Sequence, residues 1–354
     1  MYTSIMWKYM SEEKGLLTNL LNNKETEEKC AVLKDVKALY IVAHGSSYNA
    51  ANAIAPFLSK ICPVRTYVYT PSSFANNANS LMHEDKNSTW VLGISQTGTS
   101  RGVLEALNPW KKEGFNVIGI TNEKDSPIDQ LSDVTLYLNC GEEDSNAKTK
   151  GYSSTLVVLM KMAITLAVIK NSISKEDADT MYAEILEEIS NLDAVQENTK
   201  AWCEKMQYGK GMEHLYVIGN AMNYATSFEG MLKLMETMCI PTMFSDIEEF
   251  SHGMHRSVKE NSFVMLLNSK VGRVDTMKTF NFFKDKGVNV MIINAGEVLD
   301  DANVINVGKV NCVDNVLSIT AAIQVISAFV PELNGMDPNR DANNDYTDCV
   351  STRV

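Results

Sequence analysis

The chain has 354 residues, room for two domains with separate cores, and its 45% apolar and 21% charged content is that of a folded globular protein. A formal charge of −12 argues against nucleic acid or an anionic membrane as the main partner, since both need basic patches, yet amides and hydroxyls can still hold one phosphate. Seven scattered cysteines with no Cys-x-x-Cys pair, five histidines and no His-Glu-x-x-His leave little for a disulfide framework or metal centre; neither metal nor cofactor is expected.

Residues 1–34 read as a helical lead-in, with Leu16, Leu17, Leu20 and Leu21 on one stripe. No basic-then-apolar leader and no transmembrane run is visible, so a cytoplasmic chain is expected. The apolar run 39–43 breaks at His44-Gly45-Ser46-Ser47 and passes into an alanine-rich helix, the opening of an α/β unit. Runs 66–69, 90–94, 117–120 and 134–138 complete five strands. The run at 90–94 stops at Ser95-Gln96-Thr97-Gly98-Thr99-Ser100 before the next helix. Strands alternating with helices predict a parallel sheet covered on both faces.

The apolar stretch 155–169 and the acidic, amphipathic stretch 175–206 are helical, the latter bridging two domains. The pattern then restarts with strands at 214–219, 263–267, 288–293 and 304–307, and a last apolar helix over 313–329. Domains are therefore placed at 35–172 and 207–330, with a linking helix at 173–206 and a loop-like tail at 331–354. Between the second domain's first two strands lies a helix on which Phe228, Met231, Leu232 and Met235 form the apolar stripe. Glu229, Lys233 and Glu236 share another face of that helix. A polar loop then delivers Glu248-Glu249-Phe250-Ser251-His252-Gly253. By composition alone this charged face is better explained by solvation than by chemistry, though it offers a base, a charge partner and a switchable acid.

The halves repeat. Tyr40-Ile41-Val42-Ala43 aligns with Tyr216-Val217-Ile218-Gly219, and Lys112-Glu113-Gly114-Phe115-Asn116-Val117-Ile118 with Asp285-Lys286-Gly287-Val288-Asn289-Val290-Met291. The copies differ where ligands bind in open parallel sheets, beyond the carboxyl ends of the strands. The first has Ser46 and Ser47, then Ser95, Thr97, Thr99 and Ser100; the second has Met222 and Asn223, then Asn268, Lys270, Gly272 and Arg273. Hydroxyls at helix N-termini are ordinary caps. Two such clusters at corresponding strand ends of one sheet predict a phosphate cradle.

These motifs resemble the sugar-isomerase (SIS) domain family, whose phosphosugar signature pairs Gly-Thr/Ser-Ser with Ser-Gln-Ser-Gly-Glu-Thr. The second half is similar to the isomerase half of glucosamine-6-phosphate synthase, where Glu-Gly-x-Leu-Lys-x-x-Glu precedes Gly-Glu-x-x-His-Gly-Pro; the counterparts here run from Glu229 to Glu236 and from Glu248 to Met254. The resemblance spans about residues 35–335 and implies two tandem doubly wound parallel-sheet SIS domains (α/β). It further implies a phosphosugar held by Ser46, Ser47, Ser95, Gln96, Thr97 and Ser100, catalysis by Glu236 and His252, and possible substrate contacts from Gly45, Lys150 and Lys233. A homodimer or higher homo-oligomer with shared sites is also implied. With no glutaminase segment and no tail lysine, the chain most resembles deglycases that split a phosphorylated sugar–amino acid conjugate into hexose 6-phosphate and amino acid. An aldose–ketose phosphate isomerase, an amino-sugar phosphate deaminase and a non-catalytic phosphosugar sensor are the alternatives. His44 could line the pocket, His255 could orient His252, and His83 and His214 have nothing to recommend them.

Overall fold

The computed structural model describes residues 3–354, the side chain of Asn79 apart, so Met1 and Tyr2 of the expected lead-in lie outside it. The chain folds as two compact units, one made of residues 16–142, 151–183 and 343–354, the other of residues 3–15, 143–150 and 184–342.

The first of these holds a five-stranded parallel sheet in the order β2-β1-β3-β4-β5: β1 (Ala38–Ala43), β2 (Arg65–Tyr69), β3 (Thr89–Ile94), β4 (Asn116–Thr121) and β5 (Val134–Tyr137). β1 and β3 are buried along their whole length, as a sheet covered on both faces requires. Their pairing runs in register to Ala43 opposite Ile94. The chain leaves β1 toward β2 on one side, and β3 continues toward β4 on the other, so this pair is the point where the strand order reverses. Val42, Phe74, Val91, Leu107 and Trp110 belong to the core of this unit.

The other unit repeats the order as β7-β6-β8-β9-β10: β6 (Leu215–Ile218), β7 (Thr242–Ser245), β8 (Phe263–Asn268), β9 (Asn289–Ala295) and β10 (Val304–Gly308). β7 falls where the sequence predicts a polar loop. It is an edge strand of four residues with its two central side chains half-buried, too short for its alternation to register. The last apolar helix runs over Val316–Leu333, beyond the 313–329 expected, and the tail contains a short helix at Tyr346–Cys349.

Helices Lys150–Ile169 and Val316–Leu333 are long and apolar enough to cross a membrane by length and composition alone. Most of their residues are buried inside the fold, as in core helices of α/β proteins.

Candidate active site

In the unit carrying β1–β5, the hydroxyl clusters sit directly beyond adjacent strands. Gly45 starts helix Gly45–Ile61 at φ +52°, in the left-handed region that glycine adopts without strain. This turn puts Ser46 and Ser47 in the helix's first turn, half-buried. The N-cap is His44, whose side chain caps nothing, and the Ser47 hydroxyl has no hydrogen-bond partner among the described residues. Beyond β3, Ser95 is buried and its Oγ accepts the Ser100 amide at 3.2 Å, while Thr97 Oγ1 and Thr99 Oγ1 share a 2.9 Å bond. Ser100 precedes helix Arg101–Lys112 without capping it, and its hydroxyl too is unpartnered among the described residues. Simple N-capping therefore does not account for Ser47 and Ser100.

Gln96 turns aside from the hydroxyls, its amide 3.8 Å from Cys140 Sγ and packed on Gly151. The imidazole of His44 lies between the two turns, 2.7 Å from where a Cβ on Gly102 would stand, and burial lowers its pKa. The tail pairs with the same loop: Arg101 N–H donates to Thr352 O and Val354 N–H to Thr99 O, both at 3.0 Å.

The corresponding turn of the other unit is filled by its own side chains. Arg273 Nη1 donates to Asn294 Oδ1 (3.2 Å) and Ala295 O (3.0 Å), and Asn268 Nδ2 donates to Asn294 Oδ1 at 2.9 Å. Arg273 Nη1 and Asn268 Nδ2 are thus already committed to main-chain and amide oxygens of this unit.

That unit's reactive groups lie on helix Met222–Met238, which inverts the expected amphipathicity. Glu229 and Lys233 are almost wholly buried, whereas Met235 of the supposed apolar stripe is 43% exposed and Phe228, Met231 and Leu232 are half-buried. Gly230 allows the burial: a Cβ there would stand 3.1 Å from Val217 on β6 and 3.4 Å from Ile323. The Arg340 guanidinium, from the stretch expected to be a loop, holds the helix's C-terminal end by donating to Thr237 O and Met238 O at 2.9 and 2.7 Å.

Lys233 Nζ sits 2.6 Å from Glu229 and 3.6 Å from Glu236. Burial opposes its charge, but the two carboxylates outweigh burial and its pKa is raised. Glu236 keeps access to solvent, yet its Oε2 is buried with no hydrogen bond. Desolvation, opposed by Lys233 and reinforced by Glu229, lifts its carboxyl to about 7. This pKa suits a group that takes up and returns a proton near neutrality.

His252 ends helix Ile247–His252, whose N-cap Asp246 accepts the amides of Glu248 and Glu249 at 2.8 and 2.9 Å while Phe250 anchors it in the core. The imidazole is exposed, and no hydrogen bond or ion pair joins it to Glu236 among the described residues. His255 Nδ1 lies 3.1 Å from Phe250 O and so braces the helix rather than His252.

Lys150, a possible substrate contact from sequence, is committed elsewhere: its Nζ is 2.6 Å from Glu12 and lies over the Tyr9 ring. Two residues earlier, Lys148 carries a charge that favours ionisation of Glu236. Sequence reasoning passed over it for want of a motif.

Residues 32–165 match the SIS domain. The chain is 26% identical over 348 residues to the isomerizing glutamine–fructose-6-phosphate aminotransferase of Thermococcus kodakarensis, with 97% of this chain and 57% of that protein covered. The Clostridium tetani protein of that name is 26% identical over 334 residues, with 92% and 53% covered. The chain thus spans a little over half the length of the curated relatives it matches. A crystal structure from Clostridium difficile 630, provisionally described as a phosphosugar isomerase, superposes with a TM-score of 0.88 at 26% identity, covering 100% of this chain and 99% of that one. The glucosamine-6-phosphate deaminase structure of Thermotoga maritima shares the fold, at TM-score 0.76, 21% identity and coverage of 96% and 97%.

Proposed function

We propose that this chain, which belongs to the SIS domain family, is an enzyme that hydrolyses a phosphorylated sugar–amino acid conjugate to hexose 6-phosphate and the free amino acid. The observation that carries the reading is Glu236: a carboxyl held near neutrality, one oxygen unbonded, beside a buried ammonium. The names of the relatives also pair a hexose 6-phosphate with an amino group.

The hydroxyls of Ser46, Ser47, Ser95, Thr97 and Ser100 would fix the phosphate and with it the distance to the reacting carbons. For an amine on C1 of a ketose, Glu236 removes a C1 proton to give the enaminol and returns it to C2, leaving a C1 imine. Water adds to that imine, the C–N bond breaks, and the aldose phosphate and amine depart. An amine on C2 of an aldose follows the mirror course to the ketose phosphate. His252 would move the proton at the ring or carbonyl oxygen. Its exposure and lack of partners suit a group that completes a site in a second copy of the chain, so the working form is proposed to be a homodimer. All seven cysteines are free, which fits a reducing, cytoplasmic setting.

An aldose–ketose isomerase or a deaminase would use the same proton transfer, and the product separates them. Incubation with a panel of conjugates should release hexose 6-phosphate and amino acid in equal amounts. Release of ammonia, or interconversion of hexose phosphates without amine release, would replace the deglycase reading. Binding of the conjugates with no turnover would leave a phosphosugar sensor.

A further inference from the structure

The segment 143–150 belongs to the unit that carries Glu236, and its charges are unequally matched. Glu143 accepts the Thr149 amide and, at 2.6 Å, the Thr149 hydroxyl, and its charge bears on Lys233. Lys150 is neutralised by Glu12, and Lys233 by Glu229. The half-buried Lys148 has no carboxylate partner among the described residues: its Nζ makes one hydrogen bond, 2.6 Å, to the main-chain oxygen of Glu143. An ammonium has three donors, so two remain. The cation is therefore held by a neutral acceptor with two donors open to an anion, in the unit that carries the proposed base, whose ionisation its charge favours.

A role in setting the charge of Glu236 is already filled by Lys233 on the same helix. The phosphate is already assigned, in the proposed function, to the hydroxyls of Ser46, Ser47, Ser95, Thr97 and Ser100. A sugar without an attached acid offers no further anion. In an α-N-linked conjugate, by contrast, the carboxylate lies two bonds from the nitrogen on the carbon where the base acts. We propose that Lys148 is the residue that selects the amino-acid half of the substrate, pairing with the α-carboxylate of an amino acid joined to the sugar through its α-nitrogen. This rests on the deglycase reading and narrows it. Conjugates of simple amines are poor ligands, as are those whose carboxylate is many bonds away.

The test uses two unreactive ligands, 1-amino-1-deoxyhexitol 6-phosphate bearing N-carboxymethyl or N-methyl, so that binding is measured without turnover. A charge-assisted hydrogen bond predicts that the wild type binds the carboxymethyl compound about 10- to 100-fold more tightly. Lys148→Met should abolish that preference while keeping affinity for the methyl compound within about twofold, and Lys148→Arg should retain part of it. A wild type without preference overturns the inference. So does a Lys148→Met variant that weakens both ligands equally, which would assign the lysine to the phosphate or to holding its loop. Release of glycine from the unreduced conjugate is scored separately. A preference lost in Lys148→Met without glycine release keeps the carboxylate site and refutes the deglycase chemistry.

Discussion

If Glu236 is the base, turnover should fail in acid at a pH where an ordinary glutamate would still work. With its carboxyl at about 7, roughly one molecule in eleven is ionised at pH 6; at the reference value of 4.5 nearly all would be. The turnover number should accordingly fall to about a tenth of its plateau at pH 6 and about a hundredth at pH 5. The assay is hexose 6-phosphate release at saturating substrate and constant ionic strength between pH 5 and 9. Saturation matters because the substrate's own phosphate takes up its second proton near pH 6, which would shape kcat/KM by itself. Stability supplies a check independent of turnover. A carboxyl whose pKa is raised by folding contributes stability below the unfolded value, near 4.5, and that contribution is lost as pH rises through about 7. Glu236→Gln, neutral throughout, should therefore lose about 100-fold or more in turnover and yet melt above the wild type at pH 8. A turnover number that stays flat down to pH 5 would refute the argument, because the environment would then not hold the proton.

Glu229→Gln removes a charge that raises the Glu236 pKa and releases Lys233 toward Glu236, so the acid limb should move to lower pH. Breaking this fully buried pair should also cost about 3 kcal/mol in urea unfolding, the low end of the usual range since Glu236 still faces the lysine. Ser47→Ala and Ser100→Ala remove hydroxyls with no partner, so each should leave stability within about 0.5 kcal/mol while weakening hexose 6-phosphate binding about 10-fold or more by calorimetry. The reverse pattern, lost stability with unchanged binding, would make these serines helix caps after all.

Much of the first unit was legible because buried parallel strands announce themselves as unbroken apolar runs such as Leu39-Tyr40-Ile41-Val42-Ala43. The cradle was legible because hydroxyls, unlike charges, have few reasons to cluster twice beyond neighbouring strands. What stayed hidden depended on partners far away in sequence. Periodicity marked Met235 as core and Lys233 as surface, and burial reversed both, since the Glu229 carboxylate neutralises the lysine and so permits it to enter the core. Arg340 carried no motif, and its role exists only because the tail returns to the end of helix Met222–Met238. Lys150 was singled out because its position resembles a substrate-contacting segment of the family, yet Glu12, 138 positions away, had taken its charge.

The two repeats diverged by satisfying the same turn in opposite ways. Beyond β1 and β3, the hydroxyls of Ser47 and Ser100 are left unspent, so an incoming phosphate gains their hydrogen bonds without breaking any. Beyond β8, Nη1 of the Arg273 guanidinium already binds Asn294 and Ala295, which ties the side chain to buried acceptors of its own unit. Arg273 is therefore a structural cation despite standing where a phosphate ligand would be sought. Arg273→Ala should cost about 1.5–3 kcal/mol of stability, the value of hydrogen bonds from a charged donor, and leave the affinity for hexose 6-phosphate within about twofold. A variant that folds as stably as the wild type but loses phosphosugar affinity would place an anion at the second turn and end the division of labour between the repeats.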